Sequence, residues 1–339
     1  MPAVVGQLKV KLLGFEVGTG ASDPVYANAD AHNSYLQGLF YLNKVGPDNY
    51  EKAAMHFQNA VDLAPDSALA WASLAAAHIN YAGQSDEDPT AILASAREEI
   101  NRAFSLDDKT PEAYLARADL ANSFEWDWAA ADTAIRQALA LRPGDSTARR
   151  MRASLAGKLG RSEESLREYR ELLLRDPLDG RIPYGLVSLL YNAGEFEEAE
   201  SVLMRVLERD PASNFTNGYM GFVLAGADRL QEALEFAEKE PVDFVRLNTV
   251  AVIHYKMGDV EASDRAQQEL LEQYGDLAAY QQASIFAARL DVDTTMEWLD
   301  RAYEVRDPGL TEVKVDPDYR FLYDDPRFQA LLKKMNLAD

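Results

Sequence analysis

The sequence has no cysteine, which excludes disulfides, thiolate metal sites and cysteine nucleophiles. It has no apolar run of the ~18 residues that a transmembrane helix needs. Lys9 and Lys11 interrupt its opening stretch, so no apolar core of a secretory signal forms there. Base is scarce beside acid: 34 Lys and Arg stand against 56 Asp and Glu, a net charge of −22. Nucleic acid and polybasic membrane contacts both demand a basic face, so neither nucleic acid nor membrane insertion is expected. The common catalytic and nucleotide-binding motifs are missing too. There is no GxxxxGK with a following Ser or Thr, no GxGxxG and no HExxH. No catalytic residue, metal site or cofactor is therefore expected, and the chain reads as a non-enzyme.

What is present is repetition. A single core stops growing near ~250–300 residues, and 339 residues exceed that. The chain is then either two domains or an array that lengthens without enlarging any one core. Similar phrases end at Pro65, Pro143, Pro177 and Pro211, and the last three are 34 residues apart. Small and aromatic residues recur in the same frame. Gly38, Tyr41, Ala53, Phe57 and Ala60 precede Pro65; Trp71, Leu74, Ala75, Ala96 and Ala103 follow it. Tyr114, Ala118, Ala131 and Ala138 precede Pro143, and Ala153, Gly160 and Tyr169 precede Pro177. Small residues let two helices approach, aromatics fill the gaps between hairpins, and proline stands where a helix cannot continue. Gly160, Gly194 and Gly258 fall where a left-handed turn residue is needed.

This pattern resembles the tetratricopeptide repeat, whose period is 34 residues. The resemblance implies an all-α fold: a right-handed αα-superhelical solenoid of about eight helical hairpins with a C-terminal capping helix. Residues 1–30 are expected to be an N-terminal remnant and linker, 31–305 the solenoid, and 306–339 the capping segment. Asp325 and Pro326 start the last helix as N-cap and first helical residue, and Leu331, Leu332 and Met335 are to cover the final hairpin. Two irregularities stand out. An insertion, GQSDEDPTA, separates the helices of the second repeat, and the sixth repeat breaks early at Pro241.

The phrases SFEWDWAAADTAIRQALALRP, YEVRDPGL, KVDPDYRFL and DDPRFQALLKKM narrow the resemblance. They are similar to the C-terminal module of bacterial signalling proteins that carry winged-helix, nucleotide cyclase or protein kinase domains. That likeness implies a regulatory or sensor segment that binds a small ligand or self-associates. It is the alternative to a free-standing scaffold that binds protein or peptide. An isolated chain would be cytoplasmic; a membrane-anchored parent would place the module in the periplasm.

Several residues suggest chemistry at first sight. Asp86, Glu87 and Asp88 lack the Gly and closing Glu of a calcium loop and read as a solvated insertion. His78 and His254 take the place of first-helix aromatics and read as packed structural residues, while His32 and His56 read as surface or groove residues. Phe124, Trp126 and Trp128 offer either hairpin packing or a stacking site, and packing is favoured. In tetratricopeptide arrays, ligands usually lie on the concave face of the first helices. Twenty inward positions of repeats four to seven contain no acid, where about three would be expected from 56 acids in 339 residues. The candidate groove residues are Arg150, Lys158, Arg181, Tyr184, Tyr191, Asn192, Phe222, Asn248, Tyr255 and Lys256. Arg and Tyr dominate many interfaces and Arg engages carboxylates bidentately, so an acidic protein or peptide ligand is the expected partner. Homo-oligomers are also compatible with this surface.

Overall fold

The computed structural model describes residues 23–85 and 87–338. Among them there is no β-strand, and the helices come in pairs. The first hairpin is α1 (Ala29–Leu42) with α2 (Pro47–Leu63), and the second is α3 (Ala68–Ala82) with α4 (Pro89–Leu106). The third joins α5 (Pro111–Leu120), through a π-turn at Ala121–Glu125, to α6 (Trp128–Leu141). The fourth and fifth are α7 (Ser146–Lys158) with α8 (Ser162–Arg175), and α9 (Arg181–Ala193) with α10 (Phe196–Arg209). The sixth is α11 (Thr216–Gly226) with α12 (Leu230–Ala237). The seventh and eighth are α13 (Asp243–Lys256) with α14 (Val260–Tyr274), and α15 (Ala279–Ala288) with α16 (Val292–Glu304). Two 3₁₀ turns, Pro308–Glu312 and Pro317–Leu322, lead to a closing helix α17 (Pro326–Lys334). The fold is all-α, of the helical-hairpin solenoid kind. No described helix is long and apolar enough to cross a membrane.

Local chemistry explains where the helices begin. The side chains of Ser67, Asp88, Asp145, Asp259, Asp291 and Asp325 each accept a backbone N–H of the first turn that follows. Proline opens α2, α4, α5 and α17, where its missing N–H costs nothing. The turns inside the hairpins carry a second signature. A left-handed residue recurs at Trp126, Gly160, Gly194 and Asp228, each 34 positions after the last, and again at Gly258 and Leu290. The turn geometry therefore persists even where glycine does not supply it. The insertion in the second hairpin lengthens its connection, which lies between Ala82 and Pro89. The early break at Pro241 shortens α12 to 8 residues.

The chain forms two compact units. The first comprises Met1–Ala121, Ala129–Ala153 and Arg167–Ile182; the second comprises Asn122–Trp128, Ser154–Leu166 and Pro183–Asp339. In the first, α3 packs on α2, on α4 and on the next first helix, α5. In the second, α13 lies between first helices α11 and α15, with α14 behind it. First helices thus adjoin first helices, and second helices back them. Small residues set the close approaches: a Cβ on Gly38 would stand 2.6 Å from the fully buried Phe57 ring.

The ends of the described chain are built in rather than loose. Residues 1–22, with most of the expected remnant and linker, lie outside the described residues. Asp23, from the end of that stretch, accepts hydrogen bonds from Ser67 Oγ at 2.5 Å and Leu69 N at 3.2 Å, and Val25 is fully buried. At the other end, Leu331, Leu332 and Met335 are buried on the second unit. The aromatic run belongs there too. Phe124, Trp126 and Trp128 are buried, Trp128 Nε1 donates to Met335 O at 2.8 Å, and the Arg306 guanidinium lies 4.5 Å from the Trp126 ring centre.

Candidate functional site

Each unit presents its first-helix layer differently. In the first unit that layer borders a cavity of about 290 Å³. Tyr35, Leu39, Ala72 and Leu115 supply apolar wall, and arginines and carboxylates supply the rest. Most of these charges are already matched. Arg142 donates to Glu112 and Asp145, each at 2.8 Å, and Arg149 donates to Glu168 at 2.6 Å. Arg181 holds Asp179 through two nitrogens and reaches Asn43 Oδ1 at 3.2 Å. The Arg150 Nε stands 4.0 Å from the same carboxylate. Burial pushes the Asp179 carboxyl up, but Arg181 and Arg150 outweigh it and hold the group down at about 2. Asp176, also in the wall, accepts from Ser146 Oγ at 3.2 Å; burial and the neighbouring Asp179 raise its carboxyl above the ordinary value.

In the second unit the first-helix layer carries a piece of the chain itself. Residues 307–322 run across it after the last hairpin. Glu312 meets Lys158 of α7 at 3.8 Å, and the Tyr191 hydroxyl of α9 donates to Asp318 at 3.0 Å. Arg320 donates to the Asn192 carbonyl at 3.4 Å. Tyr280 of α15 grips both ends: its N–H donates to Asp307 at 3.0 Å and its hydroxyl to Asp316 at 3.3 Å. Leu310, Val313, Tyr319 and Leu322 are fully buried. Burial pushes the Asp307 carboxyl up to about 6 against the pull of two backbone amides. Burial, then the charge of Asp318, raises Asp316 well above the carboxylate range.

Residues 158–216 match the family model of the tetratricopeptide repeat. Over these residues the chain carries the tetratricopeptide repeat. The matched stretch holds two of the left-handed turn residues, Gly160 and Gly194, and the same hairpin form continues on either side of it. Among solved structures, the chain is similar to yeast Tom70, at 17% identity over 91% of this chain and 68% of that one, TM-score 0.49. It is similar to a tetratricopeptide repeat protein from Parabacteroides merdae, at 17% identity over 73% and 93%, TM-score 0.48. It is also similar to PilW, a type IV pilus biogenesis factor, at 22% identity over 55% and 87%, TM-score 0.46. No curated protein matches the chain.

The ten groove candidates fall on both units. Arg150 and Arg181 belong to the first, where they meet at Asp179. The other eight belong to the second. Lys158, Tyr191 and Asn192 are brought together around the C-terminal segment. Tyr184 turns its hydroxyl to Asn214 O at 2.9 Å and Thr216 Oγ1 at 2.8 Å, so it ties its repeat to the next. Asn248 is buried and donates to Gln281 O at 2.9 Å. Phe222 packs with the α13–α15 core, Tyr255 lies under the Arg289 guanidinium at 5.6 Å, and Lys256 is exposed.

The dispersed histidines stay dispersed. His78 Nδ1 pairs with Glu99 at 2.9 Å, His56 stacks on Tyr41, His32 abuts Tyr26, and His254 lies 3.8 Å from Asp259. Among the described residues no group of three His, Asp or Glu side chains could hold a metal ion. Reasoning from sequence passed over Asp179, Tyr280, Asp307, Asp316 and Asp318. Nothing marks one carboxylate among 56 as buried. The phrase KVDPDYRFL was a family mark in the sequence, and its role as groove occupant needs the three-dimensional fold.

Proposed function

We propose that the chain is a non-catalytic scaffold that binds a protein or peptide on the first-helix faces of its repeats. One observation carries this reading. The protein's own residues 307–322 already lie on such a face, and they are held there by Lys158, Tyr191 and Asn192, which the repeat frame selects as inward positions. This face therefore has the chemistry to hold polypeptide: tyrosine hydroxyls and a lysine for carboxylates, a backbone carbonyl for an arginine, and apolar space for leucine and tyrosine. In the first unit the corresponding layer borders the cavity, with Arg175 at its edge. An extended, acid-bearing segment of a partner fits both settings.

Affinity capture tests the reading with single acidic substitutions on two first helices, Thr147→Glu in the cavity wall of the first unit and Lys256→Glu in the second. Loss of the captured partner with at least one variant, at unchanged thermal stability, is the expected result. Capture of the same partner by both variants at wild-type strength would remove the first-helix faces from the account.

A further inference from the structure

The occupant of the second unit's first-helix face is unusual in its chemistry. A segment that merely fills space would be apolar. This one places a buried carboxyl group, Asp307, and a half-buried one, Asp316, against α15, with Glu312 and Asp318 beside them. The facing groups from the packed elements are mostly other acids and phenols. Tyr280 contacts both carboxyls, Tyr191 bonds Asp318, and Tyr219, Tyr319 and Tyr323 lie within electrostatic reach of the acids. Four cations stand in or beside the segment, and one of them, Lys314, is half-buried within it. Lys158 faces Glu312, Arg320 donates to a backbone carbonyl, and Arg306 stacks on Trp126. No arginine is hydrogen-bonded to either Asp307 or Asp316 among the described residues. A buried carboxylate that lacks a cationic partner is costly, and the cost falls when the group takes up a proton.

We propose that residues 307–322 form a proton-dependent latch over the first-helix face of the second unit, closed when Asp307 and Asp316 are neutral acids and loosened as they ionise. A neutral Asp316 donates or accepts without the repulsion of Asp318 and Glu312. The ionised pair puts several negative charges in one buried site. The direction follows from linkage. Burial raises both carboxyls above their ordinary value, to about 6 for Asp307, so the docked segment holds protons that the released segment gives up. Docking is then strongest below about pH 4 and weakens as the pH rises through about 6 and above. The apolar anchors Leu310, Val313, Tyr319 and Leu322 oppose release at every pH, so loosening is a shift in local opening and not a loss of the fold.

This inference deepens the scaffold reading, because the latch covers a face proposed to hold a ligand. Hydrogen exchange on the full chain tests it, with rates corrected for the intrinsic pH dependence of exchange. In the wild type, amide protection over 307–322 should fall about tenfold or more between about pH 5 and about pH 8, while that of the outer helix α10 stays level. The double variant Asp307→Asn/Asp316→Asn should lose the pH dependence: its protection should be level between the two pH values, at a height lowered by the one backbone amide that then faces the Asn N–H₂ group. Level protection in the wild type, or an unchanged pH response in the double variant, would overturn the latch. Neither result bears on partner capture, so failure of the latch and failure of the scaffold reading are separable.

Discussion

Glu240 supports the sixth repeat from beneath, and removing it should be felt strongly. Its carboxylate is 3% exposed and accepts backbone N–H groups from Phe215 at 2.8 Å, Gly218 at 2.9 Å and Val242 at 3.1 Å. Two of these amides open α11, whose N-cap residue Phe215 is left-handed and has no side-chain oxygen to offer. The third opens the turn into α13. One carboxylate therefore caps a helix and joins two repeats. In Glu240→Ala three buried amides lose their acceptor at once. At ~1–1.5 kcal/mol each, the loss sums to about 3–4.5 kcal/mol, a large share of the ~5–15 kcal/mol that holds a typical domain. Glu240→Gln keeps one carbonyl acceptor but turns an N–H₂ toward the amides, and should cost about half as much. Urea unfolding followed by circular dichroism gives the total. Hydrogen exchange at Phe215, Gly218 and Val242 shows where the loss is felt. A loss below about 1 kcal/mol in the alanine variant, with those amides still protected, would refute this reasoning.

Other consequences are as concrete. Gly38→Ala drives a methyl group into the Phe57 ring and should destabilise the first unit by about 1–3 kcal/mol in thermal or urea unfolding. Trp128→Phe removes the bond to Met335 O and should cost about 1 kcal/mol, seen as faster amide exchange in α17. Asp179 has a carboxyl held at about 2 in the folded chain, so its stabilisation is present above the ordinary carboxylate pKa and is lost as pH falls from there through about 2. Stability measured from about pH 5 to about pH 2 should drop by about 2 kcal/mol more in the wild type than in Asp179→Asn.

The repeat frame was legible because it is written in small residues and prolines at fixed spacing. Backbone geometry demands those types directly: Gly160, Gly194 and Gly258 are left-handed, and Pro89, Pro111 and Pro326 open helices. Asp228 and Leu290 show the limit of that reading. They take the same left-handed turn with no compositional signal, because the hairpin around them sets the geometry. The candidate groove was only partly legible. The repeat frame places Lys158, Tyr191 and Asn192 on one face, but it is silent on a segment more than 120 residues away returning to cover them. Arg181 looked like a cation awaiting a ligand, yet Asp179, two residues earlier, holds it. Local acid pairing of that kind follows from loop conformation, which periodicity does not encode.

Site-specific photo-crosslinking on the full chain tests the central claim most directly. A photoreactive residue replaces Thr147 or Lys256 on first helices, or Arg265 on the exposed face of α14, and the captured partner is mapped by mass spectrometry. The scaffold account predicts adducts from Thr147 or Lys256 and none from Arg265. Adducts from Arg265 alone would place the partner on the outer helices and contradict it.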